Sequence, residues 1–135
     1  MAVFITITGK IVFHRLPYQG IMPFVWNTIV FVIFYYCSGI LVQYPMLLSN
    51  MFITGWALNL SVFACSAHDL KTIVLFCTAL GVLGPIVEGS YAQSGFFAYR
   101  DPHVYFVPVW LCGLYLQGGL AVASGITILE YLSKK

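Results

Sequence analysis

The stretch Glu88-Gly-Ser-Tyr-Ala-Gln-Ser-Gly-Phe-Phe-Ala-Tyr-Arg-Asp-Pro-His-Val-Tyr-Phe-Val-Pro-Val-Trp-Leu-Cys-Gly-Leu-Tyr-Leu-Gln-Gly-Gly-Leu-Ala-Val-Ala-Ser-Gly125 decides the fold. Its first half is the most polar gap between apolar runs and holds Glu88, Arg100, Asp101 and His103. The pairs Ser94-Gly95 and Asp101-Pro102 both favour turns. Its second half is apolar, and another apolar run precedes it from about residue 70. The stretch therefore reads as a re-entry point, where one helix leaves a membrane, the chain turns and the next helix goes back.

Composition agrees. Hydrophobic residues make up 61% of the 135 and charged residues only 7%, against about 25% charged in ordinary soluble domains. So few charges cannot cover the surface of a soluble domain of this length, because exposed apolar patches on soluble monomers stay near a few hundred Å². The chain reads as one polytopic, all-α transmembrane domain over residues 1–135, with no linker or low-complexity tract dividing it. A formal net charge of +2 without a basic stripe excludes nucleic acid as a partner. Cys37, Cys65, Cys77 and Cys112 show no CxxC and no paired spacing, which argues against a disulfide framework. Residues 1–10 lack the charged-then-apolar order of a signal peptide.

Working outward gives four spans, at about 23–42, 46–65, 70–88 and 104–129, in a four-helix bundle with short loops. Residues 1–19, with Lys10, His14, Arg15 and Pro17, are too short to cross and read as an interfacial arm. Pro23 suits a first helical turn. Gln43-Tyr44-Pro45 is a minimal turn that makes the second span the antiparallel neighbour of the first. Asp69 is placed as a cap for the third span, and Pro85 predicts a kink or early end there. Four spans put both termini on one side, with Lys10, Arg15, Lys71, Lys134 and Lys135. Only Arg100 falls opposite, so the positive-inside bias places the termini in the cytosol or its organellar equivalent.

Small and polar residues recur at helical spacing. Cys77, Gly81, Gly84 and Glu88 share one face of the third span, and Gly113, Gln117, Ala121 and Gly125 recur every four residues in the fourth, beside Gly118-Gly119. Small residues let backbones approach closely in lipid. One reading packs these two faces on each other, with Asn59 and Gln117 as an interhelical bond. The other leaves a groove between them for a lipid, sterol or pigment. Glu88 is the acid at the end of a span, a functional candidate by position, and pairing with Arg100 across the loop is the structural alternative. His14, His68 and His103 lie outside the spans, and Cys65-Ser-Ala-His68 lacks the second pair a zinc site needs. No metal, cofactor or catalytic motif is read from the residues.

The run Ser94-Gly95-Phe96-Phe97-Ala98-Tyr99, then Asp101-Pro102-His103, Tyr105, Trp110-Leu111, Tyr115, Gly118-Gly119 and Val122, resembles the end of the insulin-induced gene (Insig) family, over roughly residues 88–125. That resemblance implies a polytopic bundle that binds sterols or diacylglycerol and retains partner proteins in the endoplasmic reticulum. The chain departs from the family in having four spans where six are usual. It also has Ser124-Gly125-Ile126-Thr127 where the family closes its last helix with Asn and Arg.

The expected function is a non-enzymatic, multi-pass lipid- or sterol-binding or partner-docking module. Its candidate lipid- or partner-facing residues are Gly81, Gly84, Glu88, Arg100, Trp110, Gly113, Gln117, Gly118 and Gly119. Expected partners are the bilayer and other membrane subunits. The resemblance implies the endoplasmic reticulum; a mitochondrial or plastid membrane suits the alternative of a small accessory subunit in a respiratory or photosynthetic complex. An isoprenoid- or lipid-modifying enzyme with Glu88 as acid is a third reading.

Overall fold

The computed structural model describes residues 20–63 and 67–134, leaving aside the side chains of 62, 63 and 67–69. The interfacial arm of residues 1–19, the Cys65–His68 spacing and the Asp69 cap fall outside that description. Four helices follow one another: α1 (Met22–Ile40), α2 (Pro45–Phe63), α3 (Ala67–Gln93) and α4 (Leu111–Ser133). Three of them, α1, α3 from Leu70 and α4, are long and apolar enough to cross a membrane. Helix α2 is as long as α1, 19 residues, but carries Ser49, Asn50, Thr54, Asn59 and Ser61. Among the described residues no strand forms, only an isolated bridge between Val104 and Val107.

Proline sets two of the starts, since a missing N–H costs nothing in a first turn. Pro23 lies in the first turn of α1, and Pro45 opens α2 after a turn closed by the Tyr44 N–H on the Leu41 carbonyl at 2.9 Å. Pro85 does not bring the early end that is one of the two outcomes expected of it. Helix α3 runs through it to Gln93 without ending. Gly84 and Pro85 are buried, and the residues before the proline are held against α4, so packing offsets the lost backbone bond.

The start of α4 is a second departure. The sequence puts it near residue 104; the helix begins at Leu111. Between them the chain makes a tight reversal with Tyr105 and Phe106 at φ 47° and 65°. Val104 and Val107 exchange hydrogen bonds across it at 3.1 and 3.0 Å. Positive φ at both central residues is the hairpin-type turn that normally takes Asn and Gly, so two aromatics here are strained. Gly89 lies directly beneath, where any Cβ would run into the Tyr105 carbonyl and ring. After the turn, Pro108 accepts the Leu111 N–H at 3.1 Å.

The last helix is the hub. It packs most extensively on α3, then on α1 and α2, while α1 and α3 scarcely meet each other. One core cluster gathers Leu60, Phe76, Cys77, Leu120, Ala123 and Ile126. The other gathers Leu48, Phe52, Val107, Trp110, Leu111 and Leu114 near the loop. Outward faces carry exposed apolar groups such as Ile33, Leu47, Leu75 and Leu83, as lipid contact requires. Since lipid tails are as apolar as these side chains, close packing and hydrogen bonds hold the bundle together.

Both kinds of contact are visible. A Cβ on Gly119 would stand 2.9 Å from Cys77 Sγ, on Gly84 2.5 Å from the Tyr115 ring, and on Gly113 2.6 Å from Phe52 Cβ. The α3 stripe therefore packs on α4 through Cys112, Tyr115, Leu116 and Gly119. The α4 stripe faces elsewhere: Gly113 meets α2 at Phe52 and Gly125 meets α1 at Phe24. The two small-residue faces do not oppose each other as the sequence suggests, because spacing fixes a face but not its neighbour.

Inside the bundle Gln117 is fully buried and Asn27 and Asn59 nearly so. Trp26 Nε1 donates to Asn59 Oδ1 at 2.9 Å, and Asn59 Nδ2 donates to Gln117 Oε1 at 3.2 Å. Gln117 Nε2 reaches both oxygens of Asn27 at 3.4 Å, and Asn27 Nδ2 donates to Ser124 Oγ at 3.1 Å. The Asn59–Gln117 bond expected from sequence is thus one link in a chain joining α1, α2 and α4.

Two outcomes follow for stability in mild detergent. Gly119→Leu should cost about 1–3 kcal/mol or more by overpacking, while Leu58→Ala on the exposed surface leaves the melting temperature near that of the parent. Gln117→Leu should cost about 1–3 kcal/mol by stranding Asn59 and Asn27. A melting curve superimposable on the parent's for either variant would remove the corresponding contact from the account.

Candidate functional site

Because α1 and α3 both lean on α4 but scarcely touch each other, a groove remains between them. Its floor is α4, at Leu111, Leu114, Tyr115, Gly118, Gly119, Ala121 and Val122; its walls are Phe31 and Tyr35 of α1 and Leu80 and Glu88 of α3. This central part holds about 360 Å³. Gly118, Gly119 and Ala121 keep the floor low. At the loop end the groove passes into a cavity of about 560 Å³, which shares Tyr35, Glu88, Leu111 and Leu114 and adds Tyr36, Ser38, Tyr99, Arg100 and Trp110. At the other end it continues past Ala121 and Val122 into a cavity of about 500 Å³ between Phe24, Thr28, Gly125 and Leu129.

The lining is graded. The far end is apolar apart from Thr28, the central part is apolar apart from Tyr35, Tyr115 and Glu88, and these three stand toward the loop end. Glu88 is half-buried there. The Tyr99 and Tyr115 hydroxyls donate to its two carboxylate oxygens, one each. Tyr99 comes from the loop and Tyr115 from the second turn of α4, so the carboxylate ties three segments together. Burial pushes the Tyr99 hydroxyl above its ordinary range, and the hydrogen bond to Glu88 and its charge add to the rise. At neutral pH it is a fixed donor. The Tyr99 ring packs edge-on against Phe97, centroids 5.5 Å apart.

The expected Glu88–Arg100 pair does not form. No ion pair within 4.0 Å is made among the described residues, Arg100 is exposed, and the tyrosines take both Glu88 oxygens. The sequence argument matched charge to charge across the loop; the fold instead turns Tyr99, one residue earlier, inward.

Of the nine candidates, Glu88, Arg100, Trp110, Gly118 and Gly119 line the groove or its mouth. Gly81 and Gly84 sit under Leu116 and Tyr115, Gly113 sits on Phe52, and Gln117 belongs to the amide chain. These four serve helix contacts. Trp110 does both, closing the second core cluster edge-on to Phe52 at 6.3 Å while bordering the mouth. Sequence reasoning missed Tyr35, Tyr36, Tyr99 and Tyr115 as site residues. A depth argument reaches three of them: alternating spans put the end of α1, the end of α3 and the start of α4 at one membrane surface.

No group of three or more His, Cys, Asp or Glu side chains converges among the described residues. Cys37, Cys77 and Cys112 are free thiols. Comparison with protein-family models, with curated proteins and with solved structures finds no match.

The tyrosine cluster gives a direct test. Tyr99→Phe and Tyr115→Phe should each lower stability in detergent by about 1.5–3 kcal/mol, as expected for a hydrogen bond to a charged group. Arg100→Gln should stay within about 0.5 kcal/mol of the parent, as an exposed substitution does. A large loss with Arg100→Gln, rescued by also changing Glu88→Gln, would restore the ion pair.

Proposed function

We propose that this protein is an intramembrane lipid-binding module that takes one amphiphile lengthwise along its last helix. The observation that carries this reading is the graded groove, apolar along α4 and charged only at its loop end. A bilayer lipid has the same grading, with chains toward the midplane and the headgroup at one surface. Ligand sites are typically apolar concavities with a few converging polar groups, and an ionisable group within a span marks such a site.

Two further features support the reading. Ala121 lines both the central and the far cavity, so a large side chain in its place would fill the groove, and the small residue leaves it open. The resemblance of residues 88–125 to the Insig end also falls on the groove, whose mouth and floor those residues build. On the orientation read from the basic residues, the mouth opens on the side away from the termini.

The experiment is purification in mild detergent followed by native mass spectrometry and lipid extraction. About one amphiphile per chain is expected to stay bound. Ala121→Trp, which raises the floor between the central and far cavities, should lose that lipid and keep the parent's melting temperature in delipidated detergent. A parent that carries no lipid and takes up none on titration would overturn the reading.

A further inference from the structure

We infer that the mouth of this groove recognises a zwitterionic headgroup, with an ammonium group set toward Glu88 and a phosphate set toward Arg100. The inference rests on the lipid-binding reading and specifies its ligand class. Glu88 and Arg100 carry opposite charges and border the same 560 Å³ cavity, yet they form no ion pair within 4.0 Å. Two opposite charges held apart across one cavity are the complement of a group that carries both. Each Glu88 oxygen receives one tyrosine hydroxyl, and a carboxylate oxygen has room for a second donor. The two hydroxyls fix the carboxylate in place while leaving its charge available. Arg100, by contrast, is exposed and offers donors in a planar fork suited to phosphate.

The remaining walls select the same group. Tyr35, Tyr36, Tyr99 and Trp110 all border the mouth, with Tyr35 and Tyr36 edge-to-face at 6.2 Å. Aromatic faces beside a carboxylate attract an ammonium ion. A purely anionic head would meet the Glu88 carboxylate, a purely cationic one would leave Arg100 unmatched, and a neutral one would use neither charge. Only the zwitterion uses both.

Three single-chain probes of equal acyl length separate these cases: lysophosphatidylcholine, lysophosphatidic acid and monoacylglycerol, titrated into the delipidated protein in detergent and read by native mass spectrometry. Lysophosphatidylcholine should bind about tenfold more tightly than either of the others. Glu88→Gln and Arg100→Gln should each remove that preference. Tyr36→Leu, whose ring is exposed and lies edge-on to Tyr35, should weaken lysophosphatidylcholine and leave lysophosphatidic acid unchanged. It and Arg100→Gln decide the matter if Glu88→Gln fails to fold. Equal binding of all three probes to the parent, or an unchanged preference in Arg100→Gln and Tyr36→Leu, overturns the headgroup assignment while leaving the groove intact. Binding of all three that Ala121→Trp does not weaken overturns the groove itself, and the headgroup assignment with it.

Discussion

A buried amide far from water must find a partner in its own chain, and the interior of this bundle is arranged around that requirement. Trp26, Asn59, Gln117, Asn27 and Ser124 form one run of hydrogen bonds crossing three helices. In hydrocarbon an unpaired amide costs several kcal/mol, so the run fixes depth and rotation together. Sliding α4 by one residue would carry Gln117 away from both asparagines. Apolar packing alone would not penalise that shift so sharply, since the lipid offers equivalent contacts. The close glycine contacts then become specific: Gly119 finds Cys77 and Gly113 finds Phe52 only in this register.

The groove is a by-product of the same geometry. With α4 in the middle, α1 and α3 are placed by their contacts with it and not by contacts with each other. The opening between them persists because Gly118 and Ala121 keep the middle of the floor low, and because Glu88, Tyr99 and Tyr115 brace its charged end. The strained turn at Tyr105 and Phe106 contributes to that end. Gly89 admits the turn against α3, and Tyr105 OH lies 3.2 Å from Ser90 Oγ, which docks the loop two residues beyond Glu88.

Much of this was legible in the sequence, for physical reasons that also mark where legibility stops. Long apolar runs and prolines at 23 and 45 identify the helices, since both act locally. The Asn59–Gln117 bond could be read because two amides in apolar spans have few alternatives. The start of α4 could not, because Tyr105-Phe106 carries none of the residues that ordinarily announce a turn with positive φ; Gly89, sixteen residues earlier, makes it fit. Helix α3 continues past Pro85 with Gly84 packed on the Tyr115 ring, a neighbour that is also remote in sequence. Helical spacing put Gly113, Gln117 and Gly125 on one face but gave no sign that α1 and α2 cover it. Glu88 stands out in the sequence as the acid at the end of a span, but nothing local marks Tyr99 and Tyr115, eleven and 27 residues away, as its partners.

The hub follows the three helices that it joins. A ribosome delivers α1, α2 and α3 to the membrane before α4 exists. Until then Gln117 is absent, and Asn27 and Asn59 lack the amide that joins them. The first three helices have no central partner to pack against, and the groove has no floor. Assembly of these four helices therefore waits for α4. A chain truncated before residue 111 lacks Gln117 and Ser124, so Asn27 and Asn59 are left without the α4 partners that join them.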